Sequence, residues 1–265
     1  MIDCHVHTSR CGHAKGDVAD YVAVALAKGV TVLTFTEHVP LPERLDPSRI
    51  YAMAPEDMPA YEAEVREAAQ SAGDMRVLLG VEADWLPDDP DYDVAHLLTT
   101  MDVDVVLGSV HFVEGWAFDD PHLIDRYSDI DIDDLWESYF SALNAATASA
   151  IFDVIAHPDL VKKFCYMPSF DPAELYDEAA RTMAAAGVVA ELSTAGLRKP
   201  CAELYPSAAF LDRLFAHRVP VTIGSDAHRP TEVGYEYDAA RSALREVGYE
   251  STVYFVNRQL EEIAL

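Results

Sequence analysis

The sequence predicts an α/β protein: a seven-stranded barrel of parallel strands and outer helices, one domain over residues 1–265. Three observations carry this. Short runs rich in Val, Ile and Leu alternate with amphipathic stretches along the whole chain, the pattern of parallel strands joined by right-handed helical crossovers. The length of 265 residues suits one barrel better than two small domains. Histidines and carboxylates collect just past the apolar runs, at the ends that open onto one rim of a parallel barrel.

The candidate strands are Ile2–His7, Val30–Thr36, Arg76–Glu82, Val103–Val110, Phe152–Ala156, Val188–Leu192 and Val219–Gly224. They are short and almost continuously apolar, as strands buried on both faces must be. Asp17 caps a helix that runs to Lys28 and stops at Gly29. A second helix covers Pro55–Ser71 and closes near Gly73. Asp171 followed by Pro172 opens a helix ending at Gly187. Further helices are expected over Asp133–Ala150, Ala202–His217 and Ala239–Glu246. The connection from His111 to Phe152 is long, and it carries Glu114, Trp116 and Asp119 near its start. Long loops after a barrel strand often wall a substrate pocket, and that is the expectation here.

Composition narrows the partners. With 19 Lys+Arg against 46 Asp+Glu the formal net charge is −27, and no basic run offsets it, which disfavours extended nucleic acid. The acidic stretches Asp84–Asp93 and Asp119–Asp134 read mostly as solvated loops and helix starts. No apolar stretch is long enough to span a membrane, and the opening residues show no basic and apolar signal pattern, so a cytoplasmic protein is expected. Cys4, Cys11, Cys165 and Cys201 have no C-x-x-C spacing and read as free thiols without a catalytic part, Cys4 as a small core residue.

Seven of the ten histidines lie at or just past strand ends: His5, His7, His13, His38, His111, His157 and His228. Glu82 and Asp226 join them, while His96, His122 and His217 fall elsewhere and receive no role. His5-x-His7 and Asp226-x-His228 each point two ligand-type groups to one side, because strand side chains alternate with period two. Imidazole plus carboxylate is a ligand set for zinc, manganese or iron. Nine such groups exceed one tetrahedral ion and point to two or three divalent ions with a bridging carboxylate.

The runs His5-Val6-His7-Thr8, Thr36-Glu37-His38, Gly80-Val81-Glu82, Gly108-Ser109-Val110-His111, Ala156-His157-Pro158 and Gly224-Ser225-Asp226-Ala227-His228 resemble the polymerase-and-histidinol-phosphatase (PHP) superfamily. The resemblance spans Ile2 to about Asn257, with every ligand-type position filled in family order. It implies a distorted TIM-like (β/α)7 barrel with a trinuclear metal centre. By that resemblance His5, His7, Glu82 and Asp226 hold one ion. Glu82 bridges to a second held also by His111 and His157, and His13, His38 and His228 hold the third. Gly115-Trp116 after the fourth strand and Glu191-Leu192-Ser193-Thr194-Ala195-Gly196-Leu197-Arg198-Lys199-Pro200 after the sixth resemble the histidinol-phosphatase branch.

The implied reaction is hydrolysis of L-histidinol phosphate by a metal-bridging hydroxide, with Asp226 and His228 catalytic. Another small phosphate ester or nucleotide is the alternative substrate. Arg198 is the expected phosphate anchor, since a guanidinium binds phosphate in a two-pronged fork and keeps its proton. Lys162, or its neighbour Lys163, is a second positive contact. Glu37 is expected to orient a ligand or relay a proton. Glu114, Asp119 or Asp120 are expected to receive the cationic end of the substrate, with Trp116 in the pocket wall. Two rival classes remain. An amidohydrolase-type barrel usually bridges its metals with a strand-end lysine, which this chain lacks. A metal-stabilised scaffold would have no reason to keep the full ligand set.

Overall fold

The computed structural model describes Met1–Leu265. In chain order the elements are β1 (Ile2–Val6), α1 (Val18–Ala27), β2 (Val32–His38), α2 (Met58–Ser71), β3 (Arg76–Asp84), α3 (Val94–Leu98) and β4 (Val105–Ser109). A small hairpin of β5 (Phe112–Val113) and β6 (Trp116–Ala117) follows. Then come α4 (Ile132–Ala148), β7 (Val154–Ile155), α5 (Ala173–Ala186), β8 (Val189–Ser193), α6 (Ala208–Ala216), β9 (Val221–Gly224) and α7 (Tyr237–Val247). The chain ends in an antiparallel hairpin of β10 (Ser251–Val256) and β11 (Gln259–Ala264).

Seven strands form one parallel sheet in the order β1-β2-β3-β4-β7-β8-β9. The last strand meets the first without a full ladder. Closure is a single parallel bridge between Val6 and Ala227, where His7 N donates to Ala227 O at 2.9 Å. This is the distortion: the seam is stitched only at the rim, beside the residues that carry the chemistry. β1 and β2 are buried along their whole length, their polar residues Asp3, His5, Thr34, Thr36, Glu37 and His38 included.

Local signals position the crossovers. Asp17 and Asp20 form a reciprocal capping box at the start of α1. Gly187 ends α5 in the left-handed conformation. Two predicted boundaries move for visible reasons. The helix expected from Ala202 begins only after Ser207, whose side chain accepts from Phe210 N. Tyr205 is bridged to Ser193 at the edge of β8, which commits the preceding residues to a loop. β7 is shorter than Phe152–Ala156, because the Asp153 carboxylate accepts from Val106 N at 2.8 Å and interrupts a regular start.

The terminal hairpin was not anticipated. Asp104 accepts from Asn257 N and Arg258 N, holding the hairpin under the N-terminal end of β4. Val253 and Phe255 pack there with Val105, Leu107, Val154, Ala156 and Val189. Each of the two side chains contributes roughly 1.5–3 kcal/mol of burial. The end of the barrel opposite the rim is thereby stoppered, and the polar cluster is left to the other end.

Candidate metal centre

β1 delivers His5 from its fourth position and His7 just beyond its end, so both rings point the same way. His5 Nε2 lies 2.9 Å from His7 Nε2 and 3.1 Å from Glu82 Oε2. Asp226 Oδ1 is 3.3 Å from His7 Nε2 and 3.7 Å from His5 Nε2. The Nδ1 atoms are already engaged. Glu191 Oε1 takes that of His5 at 2.8 Å, and Glu37 Oε1 approaches that of His7 at 3.4 Å. Both Nε2 lone pairs therefore face one point together with two carboxylate oxygens. Donor atoms bound at about 2.1 Å to one ion stand roughly 3.0–3.4 Å apart. The observed spacings fit a divalent cation.

Glu82 faces two groups at once. Its Oε2 meets His5, His7 (3.4 Å) and His38 Nδ1 (3.2 Å). Its Oε1 meets His157 Nε2 at 3.0 Å and His111 Nε2 at 3.8 Å. Metal-competent groupings arise at His5–His7–Glu82, Glu82–His111–His157, His7–His38–His228, His38–Asp84–His111 and Cys11–His13–His228. All nine expected ligand positions thus lie in one cluster, with His38 leaning toward Glu82 as well as toward His7 and His228.

The electrostatics follow from this crowding. Burial disfavours a charged His5, but Glu191, Glu82 and Asp226 outweigh it and hold its pKa well above the usual value. His7 is likewise lifted to about 9 against its burial, by Asp226 and Glu37. His111 is lifted against burial to about 10 by Asp84. Burial and the positive charge of His7 push His228 and His13 down, and burial dominates at His38. Glu82 and Asp226 lie well below ordinary carboxylates despite burial, because His38 and His5 respectively face them.

Beyond the ligand set the structure separates the expected contacts. Arg198 sits on the short turn Ala195–Arg198 after β8. Its Nη2 donates to Ser225 O (2.8 Å) and Asp226 O (3.1 Å), while its Nη1 is buried with no partner. Glu37 is fully buried and accepts from Thr8 N at 2.9 Å and Thr8 Oγ1 at 2.5 Å. It touches the ring of His7 rather than that of its neighbour His38, so the ligand it is placed to orient is His7. Asp119 accepts from Lys163 Nζ at 2.9 Å, and its pKa is held down against burial by Lys163 and His111.

Three expectations are corrected. Lys162 is only 1% exposed and is tied to Asp159 (2.9 Å), Glu203 (3.1 Å) and Leu204 O (2.8 Å). Its charge is spent on the fold, and Lys163 is the lysine that reaches the loop beside the cluster. Trp116 is packed in the core against Tyr127 and Arg126 rather than lining an open wall. Glu114 stands exposed at the β5–β6 turn, on a groove with Arg44, Trp85, Asp88 and Glu137 that none of the nine ligand-type residues lines.

Three carboxylates escaped notice in the sequence. Glu191 bonds His5 and also accepts from His157 N at 2.7 Å. Asp84 Oδ1 holds His111 Nδ1 at 3.0 Å. Asp3 accepts from Ser225 N, Ser225 Oγ and Gly234 N, fixing the loop that carries Asp226. The signal was present: Asp84 stands two residues after Glu82 on the same strand face, and Glu191 and Asp3 are lone carboxylates within apolar strands.

Residues 3–195 match the family model for the PHP domain. The chain belongs to the PHP family. Within it the chain falls in the histidinol-phosphatase branch. It is 37% identical over 263 residues to the probable histidinol-phosphatase of Deinococcus radiodurans, covering 98% of each chain. It is 27% identical to the histidinol-phosphatase of Bacillus subtilis, over 89% of this chain and 97% of the other. The barrel of this PHP protein matches the crystal structure of histidinol phosphate phosphatase from Lactococcus lactis, complexed with zinc, L-histidinol and phosphate. That match has a TM-score of 0.81 at 19% identity and covers 98% of both chains, a likeness of fold.

Proposed function

We infer that this chain is a metal-dependent phosphomonoesterase that hydrolyses L-histidinol phosphate to L-histidinol and phosphate in histidine biosynthesis. One observation carries the reading: seven imidazoles, Glu82 and Asp226 converge on one rim, beside a buried guanidinium arm left without a hydrogen-bond partner. We read His5, His7, Glu82 and Asp226 as ligands of a first ion, and Glu82, His111 and His157 as ligands of a second. His13, His38 and His228 serve a third, so two or three ions of zinc, manganese or iron(II) are expected. Bound divalent ions supply charge that offsets a phosphate dianion, and they lower the pKa of water toward neutrality.

The chain's own residues divide the remaining work. His5 and His7 are closed to solvent, whereas the side chains of Asp226 and His228 keep 16% and 24% exposure. The ester therefore meets the Asp226–His228 side. These two are read as the catalytic ligands, holding ions on the side from which the ester arrives, with Asp226 kept as a carboxylate, against its burial, by His5 and His228. Arg198 Nη1 binds phosphate oxygens, its other arm being anchored to Ser225 and Asp226. Asp119, steadied by Lys163, is the acidic group for the amine end of the substrate. The whole chain acts as one domain. No helix is long and apolar enough to cross a membrane. The four free thiols suit a reducing cytoplasm, and the charge of −27 suits a small ester over extended nucleic acid.

The test is phosphate release from L-histidinol phosphate with zinc or manganese, beside a nucleoside monophosphate, a sugar phosphate and an aryl phosphate. The expected result is a kcat/KM for histidinol phosphate at least a hundredfold above the others, about 2.7 kcal/mol of preference. Equal slow turnover of all four would remove the named substrate and keep a phosphoesterase. No turnover from a metal-replete sample would remove both.

A further inference from the structure

Cys11 and Cys4 are both buried, but in different company. Cys4 belongs to the large apolar core, whereas Cys11 is fully buried outside either apolar cluster. Its neighbours are polar and ligand-like. Cys11 Sγ lies 3.9 Å from His13 Nε2, and the ligand atoms of Cys11, His13 and His228 all fall within 4.8 Å of one another. A thiolate at about 2.3 Å and an imidazole at about 2.0–2.1 Å from one tetrahedral ion stand roughly 3.6 Å apart.

The two rings are set for the same task. His13 Nδ1 faces Cys11 O at 3.1 Å, and His228 Nδ1 faces Asp226 O at 3.1 Å. A carbonyl can only accept, so each Nδ1 carries the proton and each Nε2 keeps its lone pair. His228 Nε2 is buried with no hydrogen-bond partner. Gly12 makes the turn possible. It has φ +83, and a Cβ there would meet Arg49 O at 2.3 Å, so the chain reverses tightly enough to turn Cys11 and His13 toward each other.

We propose that the third ion takes Cys11 Sγ as a further ligand beside His13 Nε2 and His228 Nε2, which makes that position selective for zinc or cobalt(II) over manganese. The inference rests on the metal-dependent reading above. Sulfur is a soft donor that manganese accepts poorly, and coordination replaces the thiol proton, which leaves to solvent. The contact of Sγ with Thr8 O at 3.3 Å, its one hydrogen bond to the backbone, is then a feature of the ion-free chain.

The test uses the full chain with cobalt(II) alone as the probe. A Cys165→Ser/Cys201→Ser background removes the exposed and half-exposed thiols. The expected result is a near-ultraviolet sulfur-to-cobalt charge-transfer band that grows with the last equivalent bound. Cys11→Ser and Cys11→Ala should lose the band and keep the earlier equivalents. The dissociation constant of the last ion should rise about 100-fold or more. A cobalt-loaded, active enzyme without the band overturns this inference and leaves the phosphatase reading standing, whatever the variants do. A band that persists in both Cys11 variants overturns it as well. Failure to bind cobalt at all would overturn both readings.

Discussion

Glu191 Oε1 stands 2.8 Å from His5 Nδ1, with both side chains wholly buried. The other oxygen accepts from His157 N, so one carboxylate fixes residues on β1 and after β7. Gly224 of β9 lies against this pair. A Cβ there would stand 2.1 Å from Glu191 Oε1 and 2.6 Å from His5 Cβ. Glu191→Gln leaves an amide donor facing a donor on one side, and it removes the charge that orients His5. Metal affinity should fall about 10- to 100-fold, as loss of such supporting carboxylates does elsewhere. Gly224→Ala should do the same by displacement, with about 1–3 kcal/mol lost from stability. Chelator competition and chemical denaturation read the two effects separately, and unchanged affinity in both variants would remove the positioning role.

The barrel and the gathering of ligand-type residues on one rim were legible because both rest on strong periodic signals. Buried parallel strands are unmistakably apolar, and His5-x-His7 or Asp226-x-His228 shows its geometry in its spacing. What hid was set by long-range packing. The β10–β11 hairpin depends on Asp104 catching two backbone donors more than 150 positions away in sequence. Lys162 looks like any loop lysine until Asp159, Glu203 and the carbonyl of Leu204 close around it. Glu191 was read only as part of a branch motif. A lone carboxylate in an apolar strand marks it as partnered, but the partner, His5, lies 186 positions away and is set by the barrel.

Metal loading should release protons at neutral pH. In the ion-free chain His7 titrates at about 9 and His111 at about 10, so both are charged at pH 7. An ion accepts only neutral imidazole, and those protons must leave. Titration calorimetry in two buffers of different ionisation enthalpy should show this release, and the share from His7 and His111 should fade as pH rises through about 9 and then about 10. The stability sign is opposite to that of a carboxylate. A raised histidine pKa stabilises the fold fully below the unfolded value of 6.5, and the gain is lost as pH rises through about 9 and then about 10. The Tm of the ion-free chain should therefore fall over that window while that of the loaded protein holds. Buffer-independent heats at pH 7 would contradict the charged state of the cluster.

Lys162→Met separates a structural lysine from a substrate contact. The substitution leaves Asp159 buried without its cation, which costs about 3–5 kcal/mol. Urea unfolding should show that loss. Because the ammonium is enclosed by Asp159, Glu203 and Leu204 O, KM measured on the folded fraction should move less than about threefold. A KM raised tenfold or more with stability intact would return Lys162 to the substrate. Lys163→Met should behave in the opposite way, since its amine holds Asp119 at the loop beside His111.

Arg198 anchors one arm of its guanidinium and leaves the other without a hydrogen-bond partner, and variants can test whether the second arm binds phosphate. Nη2 holds the carbonyls of Ser225 and Asp226, while Nη1 is buried and free. Arg198→Ala removes both, and kcat/KM should fall about 100-fold or more, roughly 2.7 kcal/mol or more of transition-state stabilisation. Arg198→Lys restores a charge but not a planar fork, so it should recover little of that loss. Loss of the Nη2 anchor alone would loosen the Asp226 loop and weaken metal loading. Loss of the Nη1 contact should instead weaken inhibition by inorganic phosphate at saturating metal. Both constants should worsen in Arg198→Ala. If phosphate inhibition at saturating metal is unchanged, Arg198 is only a brace for the Asp226 loop, and the phosphate anchor lies elsewhere on the rim.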